Sequence, residues 1–101
     1  MHRPAQYEIH FDLGIAYERS GKFTDALREI TGALRLNSKD PEVQNMHAVI
    51  EAELGDFSTA REEWSHLSRA TPDYTPAHSN LIILDTMSVG TSGNQTLSRS
   101  P

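Results

Sequence analysis

Cysteine is absent from this chain, which removes disulfide staples, thiolate metal sites and cysteine nucleophiles at once. Stability must therefore come from packed secondary structure alone. No apolar run approaches the roughly 20 residues that a membrane span requires. Met1-His2-Arg3-Pro4 is not followed by the hydrophobic core of a secretory signal. The expectation is a soluble, cytoplasmic protein with no membrane partner, either whole or cut from a longer chain. Clusters of Lys and Arg are missing as well. Nucleic-acid binding needs such clusters to neutralise phosphate, so nucleic acid is not an expected partner. The net charge of −5 is unevenly spread: residues 7–40 carry −1 and residues 41–74 carry −5. That acidity favours a basic or neutral partner. A length of 101 residues fits one domain with a thin but continuous core.

What the chain does have is a phrase written twice. Gly21-Lys22-Phe23-Thr24-Asp25-Ala26 returns as Gly55-Asp56-Phe57-Ser58-Thr59-Ala60, 34 residues later. Aligning residues 7–40 with 41–74 leaves six identities, among them Gly21/Gly55, Phe23/Phe57, Ala26/Ala60 and Glu29/Glu63. They fall where a helix–turn–helix unit needs a particular residue type. On the first helix His10-x2-Leu13-Gly14-x2-Tyr17 continues the pattern, followed by Ala26-x3-Ile30, Ala60-x3-Trp64 and Pro72. Over Tyr7 to Met87 the chain resembles the tetratricopeptide repeat family, whose period is 34 residues. The resemblance implies an all-α helical repeat, an α-solenoid of two helix–turn–helix units (residues 7–40 and 41–74) and a terminal capping helix (residues 75–87). Residues 1–6 would be an N-terminal extension and Ser88–Pro101 a flexible polar tail, since that segment has almost nothing to bury.

The apolar spacing of Ile9, Leu13, Ala16 and Tyr17 predicts a first helix from Gln6 to Ser20, stopped by Gly21. A second is expected after a Thr24 cap, running to Leu36. Asp40-Pro41 is a strong start for a third helix to Leu54, because Asp can accept a free amide and Pro sacrifices a hydrogen bond the first turn lacks anyway. Ser58 or Thr59 would cap a fourth helix to Arg69, and Thr75-Pro76 would open a fifth to Met87.

Small residues stand in two columns, Gly14/Ala48 and Ala26/Ala60, where paired helices must approach closely. Phe23 and Phe57 follow the turn glycines and are expected to plug each helix junction. The resemblance implies that Ile30 and Trp64 pack between units. His47 interrupts the Leu13/Leu81 column, as a core histidine with one satisfied hydrogen bond or as a pH-sensitive group. Ile82 falls in the Gly14/Ala48 column with no partner helix after it. That makes Ile82 and Leu84 an expected uncovered face, hence a candidate oligomer interface.

Little here supports catalysis. The five histidines form no metal-ligand pair of the His-Glu-x-x-His kind, and the glycines are singletons, so no phosphate loop exists. Carboxylates such as Asp12, Glu62 and Glu63 read as solvated helix faces. The expectation is no enzyme, no metal and no cofactor.

Stacked units of this family make a concave surface from their first helices, wide enough for a peptide or a partner helix. In the 34-residue register one column of that surface reads Ile15, Val49, Ile83, an aliphatic stripe across three layers. Phe11, Asn45 and Ser79 run along one side, Glu18, Ala52 and Thr86 along another, and Glu8 and Glu42 stand at the lip. These side chains either face the groove or tilt into the core between helices. Family members that grip acidic chaperone tails use a clamp of Lys, Arg and Asn on these helices. Here Phe11, Ile15, Met46 and Pro76 replace all but Asn80, which argues against that partner. An apolar peptide or amphipathic helix with Lys or Arg suits the stripe and its acidic lip. The alternatives are a scaffold that forms homo-oligomers through Ile82 and Leu84, and the regulatory fragment of a larger protein.

Overall fold

A computed structural model describes residues 5–86 of the chain. Four helices, α1 (Gln6–Arg19), α2 (Phe23–Leu36), α3 (Pro41–Glu53) and α4 (Phe57–Ala70), are followed by α5 over residues 75–86. No strand occurs among the described residues, so the fold is all-α. Residues 1–4, the expected helix end at Met87 and the expected tail Ser88–Pro101 lie outside the described residues.

The turns explain where the helices stop. At the end of α1 the Lys22 N–H donates to the Tyr17 carbonyl at 2.9 Å and the Gly21 N–H to that of Glu18 at 3.0 Å. At the end of α3 Asp56 and Gly55 repeat the pattern onto Glu51 and Ala52, at 2.8 and 3.0 Å. Both are Schellman turns, which need a left-handed residue after the cap, and Gly21 (φ 78°) and Gly55 (φ 94°) supply it. This geometry corrects two expected starts. Because the Schellman turn leads straight into the next helix, α2 begins at Phe23 with no side-chain cap, and Thr24 lies inside it. In α4 the cap is Asp56 rather than Ser58 or Thr59; its carboxylate accepts the Thr59 N–H at 3.2 Å and the Thr59 hydroxyl at 2.8 Å. The expected cap of α3 does form, with Asp40 Oδ1 accepting the Glu42 N–H at 2.9 Å.

Cross-helix contacts give the topology. Gly14 lies against Ala26 and Ile30, and His10 meets Glu29, so residue numbers rise on α1 as they fall on α2. His47 with Glu63 and Asn45 with Trp64 show the same antiparallel sense in α3 and α4. Asn45 also meets Asn80, so α3 and α5 lie side by side, and α1 touches α3.

Two apolar clusters form the core. Ala26, Ile30, Ala33, Val43 and Ile50 make one, with Tyr7, Phe11, Tyr17 and Phe23 packed on its edge. Ala48, Ala60, Trp64, Leu67, Ala77 and Leu84 make the other. The small columns do bring helices together: Gly14, Ala26, Ala48 and Ala60 are all buried. Trp64 is buried as expected.

Leu84 does not stand on an uncovered face. It is 4% exposed, whereas Ile82 is 64% exposed. Leu84 lies seven residues after Ala77 on the same side of α5, and that side packs back on α3 and α4 just as Val43 and Ile50 of α3 pack back on the first pair. On α1 the equivalent Ile9 is 48% exposed, with no described helix before it to cover it. Phe57 also departs from expectation: at 45% exposed it leaves its junction open and becomes a wall of the cleft below.

Candidate interaction groove

The aliphatic stripe of α1, α3 and α5 divides by burial. Ile15 and Val49 are half-buried and Ile83 is 55% exposed. Val49 packs against the second core cluster with one side. With its other side it joins Ala52, Phe57 and Ile83 around a cleft of about 180 Å³ between α3 and α5, floored by Trp64 and Leu84. Its walls are almost wholly apolar, with Asn80 and Glu53 as the polar exceptions. Val49 and Ile83 are therefore brought together, while Ile15 is not among the residues lining this cleft.

The flanking positions serve the fold more than the groove. Phe11 tilts onto the first core cluster, because α2 and α3 offer it apolar surface that water does not. Asn45 Oδ1 accepts from Trp64 Nε1 at 2.8 Å and from Asn80 Nδ2 at 2.9 Å. Asn45 thus joins α3, α4 and α5. Burial, with the charges of Glu42 and Asp40, raises the Tyr74 pKa above the usual tyrosine value, against a smaller opposing pull from Asn45. Glu8 turns back on its own helix and accepts the Ala5 N–H at 2.9 Å. Glu42 remains exposed in the first turn of α3.

The acidity that meets the cleft comes from elsewhere. Glu53, the last residue of α3, lines it. Burial first, and then the neighbourhood of Glu18 in the last turn of α1, push the Glu53 carboxyl up to about 7. Sequence reasoning set Glu18 beside the stripe and missed Glu53 and Phe57. Asn45 and Asn80, which touch across α3 and α5, are 35 apart, whereas Val49 and Ile83, which share the cleft, are 34 apart, so a single register does not place every neighbour.

On the other side of α3, His47 Nδ1 donates to Glu63 at 2.7 Å, and its Nε2 lies 3.8 Å from Glu51. Burial alone would lower the His47 pKa, but the Glu63 hydrogen bond and the charges of Glu63 and Glu51 reverse this and raise it. Glu51 is raised above the ordinary glutamate value chiefly by burial, against the pull of His47. His10 makes the corresponding contact in the first pair, 2.8 Å from Glu29. Each Glu of the Glu29/Glu63 identity thus receives a histidine from its own pair, one turn apart in register. Among the described residues no group of three His, Asp or Glu side chains is arranged to hold a metal ion, and no helix is long and apolar enough to cross a membrane. Compared with known proteins, the chain matches no family model and no curated protein.

Proposed function

We propose that this chain is a tetratricopeptide-type interaction module, without catalysis of its own, that holds an apolar peptide or amphipathic helix against α3 and α5. The 34-residue helical hairpin repeat supports the family reading, and one observation carries the functional one: an open cleft with walls of Val49, Ala52, Phe57 and Ile83. Ile83 and Phe57 leave about half of their surface to water there. Adjacent large apolar groups left exposed beside a concavity mark a binding surface more often than a solvated face. Ile83→Glu is the decisive variant, since Ile83 adds a wall to the cleft without being part of the buried core. A short leucine-rich amphipathic peptide should perturb Trp64 fluorescence in the parent and leave it unchanged in Ile83→Glu, with helicity by circular dichroism equal in both. Equal binding by both proteins would move the site away from this cleft.

The exposure of Ile82 favours a second reading, self-assembly through α5, although Leu84 contributes nothing to such a face. Light scattering across a concentration series separates the two: a parent that stays monomeric leaves only the cleft.

A further inference from the structure

We infer that a proton on His47 clamps α3 to α4 and sets the position of Trp64, so that the cleft of the groove reading above, on which this rests, is regulated by pH. His47 stands where the other units have Leu13 and Leu81, and its side chain is enclosed, with 14% exposed. Two carboxylates face its ring from different elements. Glu63 of α4 lies 2.7 Å from Nδ1, and Glu51, one turn further along α3, lies 3.8 Å from Nε2. A neutral imidazole carries one N–H and leaves a lone pair on its other nitrogen. Only the protonated ring presents an N–H to both carboxylates. His66 lines the same cavity from α4, while α2 and the turn after it supply Leu34 and Ser38, which do not titrate. The cavity holds about 290 Å³ and opens to solvent, so protons reach the ring without unfolding.

The two helices that this ring ties together also build the cleft. Trp64 follows Glu63 in α4, and its indole N–H donates at 2.8 Å to Asn45, two residues before His47 in α3. The His47–Glu63 and Asn45–Trp64 contacts are therefore neighbouring ties between one pair of helices. Trp64 floors the cleft, and Val49, two residues after His47, forms part of its wall. When the ring loses its proton, ionised Glu51 and Glu63 face a neutral group and each other's charge, and that tie slackens. Asn45 must then align α3 on α4 without its neighbour, and the cleft floor shifts. The raised proton affinity of His47, which burial alone would lower, agrees with the clamp. Its sign follows: the stability it adds is present below the unfolded pKa of 6.5 and is lost as pH rises through the higher folded value. The cleft is set at mildly acidic pH and relaxed at alkaline pH.

The test reads both ends of the clamp in the intact chain, following the His47 ring protons and the Trp64 indole N–H by NMR from mildly acidic to alkaline pH. The Trp64 signal should titrate with the midpoint of His47 itself, above 6.5. Glu53 also lines the cleft and titrates at about 7, so the Trp64 change must survive in Glu53→Gln. It should vanish in His47→Gln, whose amide can still donate to Glu63. Glu51→Gln should shrink it and lower the His47 midpoint, because the neutral ring then faces one carboxylate. His10→Gln, which removes the more exposed contact of the first pair, should leave it unchanged. The leucine-rich amphipathic peptide should bind about fivefold more weakly at alkaline pH than at mildly acidic pH, the upper end for one partly exposed ion pair, and equally at both in His47→Gln. A Trp64 signal that stays still while His47 titrates overturns the inference and leaves the groove standing, as does equal peptide affinity at both pH values in the parent. Failure of the peptide to bind at either pH overturns the groove reading alone, since the coupled titration of His47 and Trp64 needs no ligand.

Discussion

At the scale of single residues, Gly14 is the described glycine with the least room around it. A Cβ built on Gly14 would stand 2.5 Å from Ile30 Cδ1 and 2.6 Å from its Cγ1. Alanine there would gain about 1 kcal/mol in helix propensity. Ile30 is wholly buried and cannot swing aside, so overpacking costs about 1–3 kcal/mol and outweighs the gain. Gly14→Ala is expected to lower stability in urea unfolding, and a variant more stable than the parent would show that Ile30 has room to move. Asn45 is the polar counterpart. Its Oδ1 is the acceptor for the indole N–H of buried Trp64, so Asn45→Ala should cost about 1–3 kcal/mol by leaving that donor without a protein partner. It should also loosen α5, because Asn80 loses the same acceptor. Hydrogen exchange that quickens in α5 ahead of α1 and α2 would be the signature.

Whole elements were the most legible part of the sequence, and the reason is local chemistry. Asp40-Pro41 and the glycines 21 and 55 act through backbone groups a few residues away, so their consequences need no knowledge of the rest of the fold. Helix type followed from apolar spacing for the same reason. Starts were misread where two elements share one turn: the Schellman turn that ends α1 consumes the Lys22 N–H and leaves no residue over for a Thr24 cap. The two hairpins differ at this point, with Lys22 where the second has Asp56, and only Asp56 offers an oxygen to the first turn. Asp56→Ala should therefore destabilise the second hairpin by about 1 kcal/mol, the usual value of an N-cap. Lys22→Ala, which removes no cap, should change the melting temperature far less. Equal losses in the two variants would mean that the Asp56 contacts with Thr59 contribute nothing net.

Across the whole molecule, the site was less legible than the fold because it depends on how units are offset. Val49 and Ile83 share a column and do meet at one cleft, but Glu53 and Phe57 line it from columns that the 34-residue register had not assigned to the groove. Leu84 was misplaced for a related reason: its column, shared with Ile50, faces the preceding pair and not the open end. The same packing brings together three groups that titrate in one direction. Glu51 and Glu53 hold their protons above the glutamate value of 4.5, Glu53 to about 7, and His47 holds its proton above 6.5. A group that binds its proton more tightly in the folded chain adds stability below its unfolded pKa and loses it as pH rises through the folded one. For Glu53 that window runs from 4.5 to about 7; for His47 it opens at 6.5 and extends above. All three losses add, so the melting temperature should fall as pH is raised from about 5 to about 8. Each half of the window has its own control. Glu53→Gln has no proton to lose and should flatten the fall below neutrality. His47→Gln can still donate to Glu63 and should flatten it above. Salt should weaken the Glu53 contribution more than that of His47, since Glu53 is open to solvent and His47 is mostly enclosed. A melting temperature that climbs across this range would mean that the exposed carboxylates of the acidic second unit, and not these three groups, set the pH response of the fold.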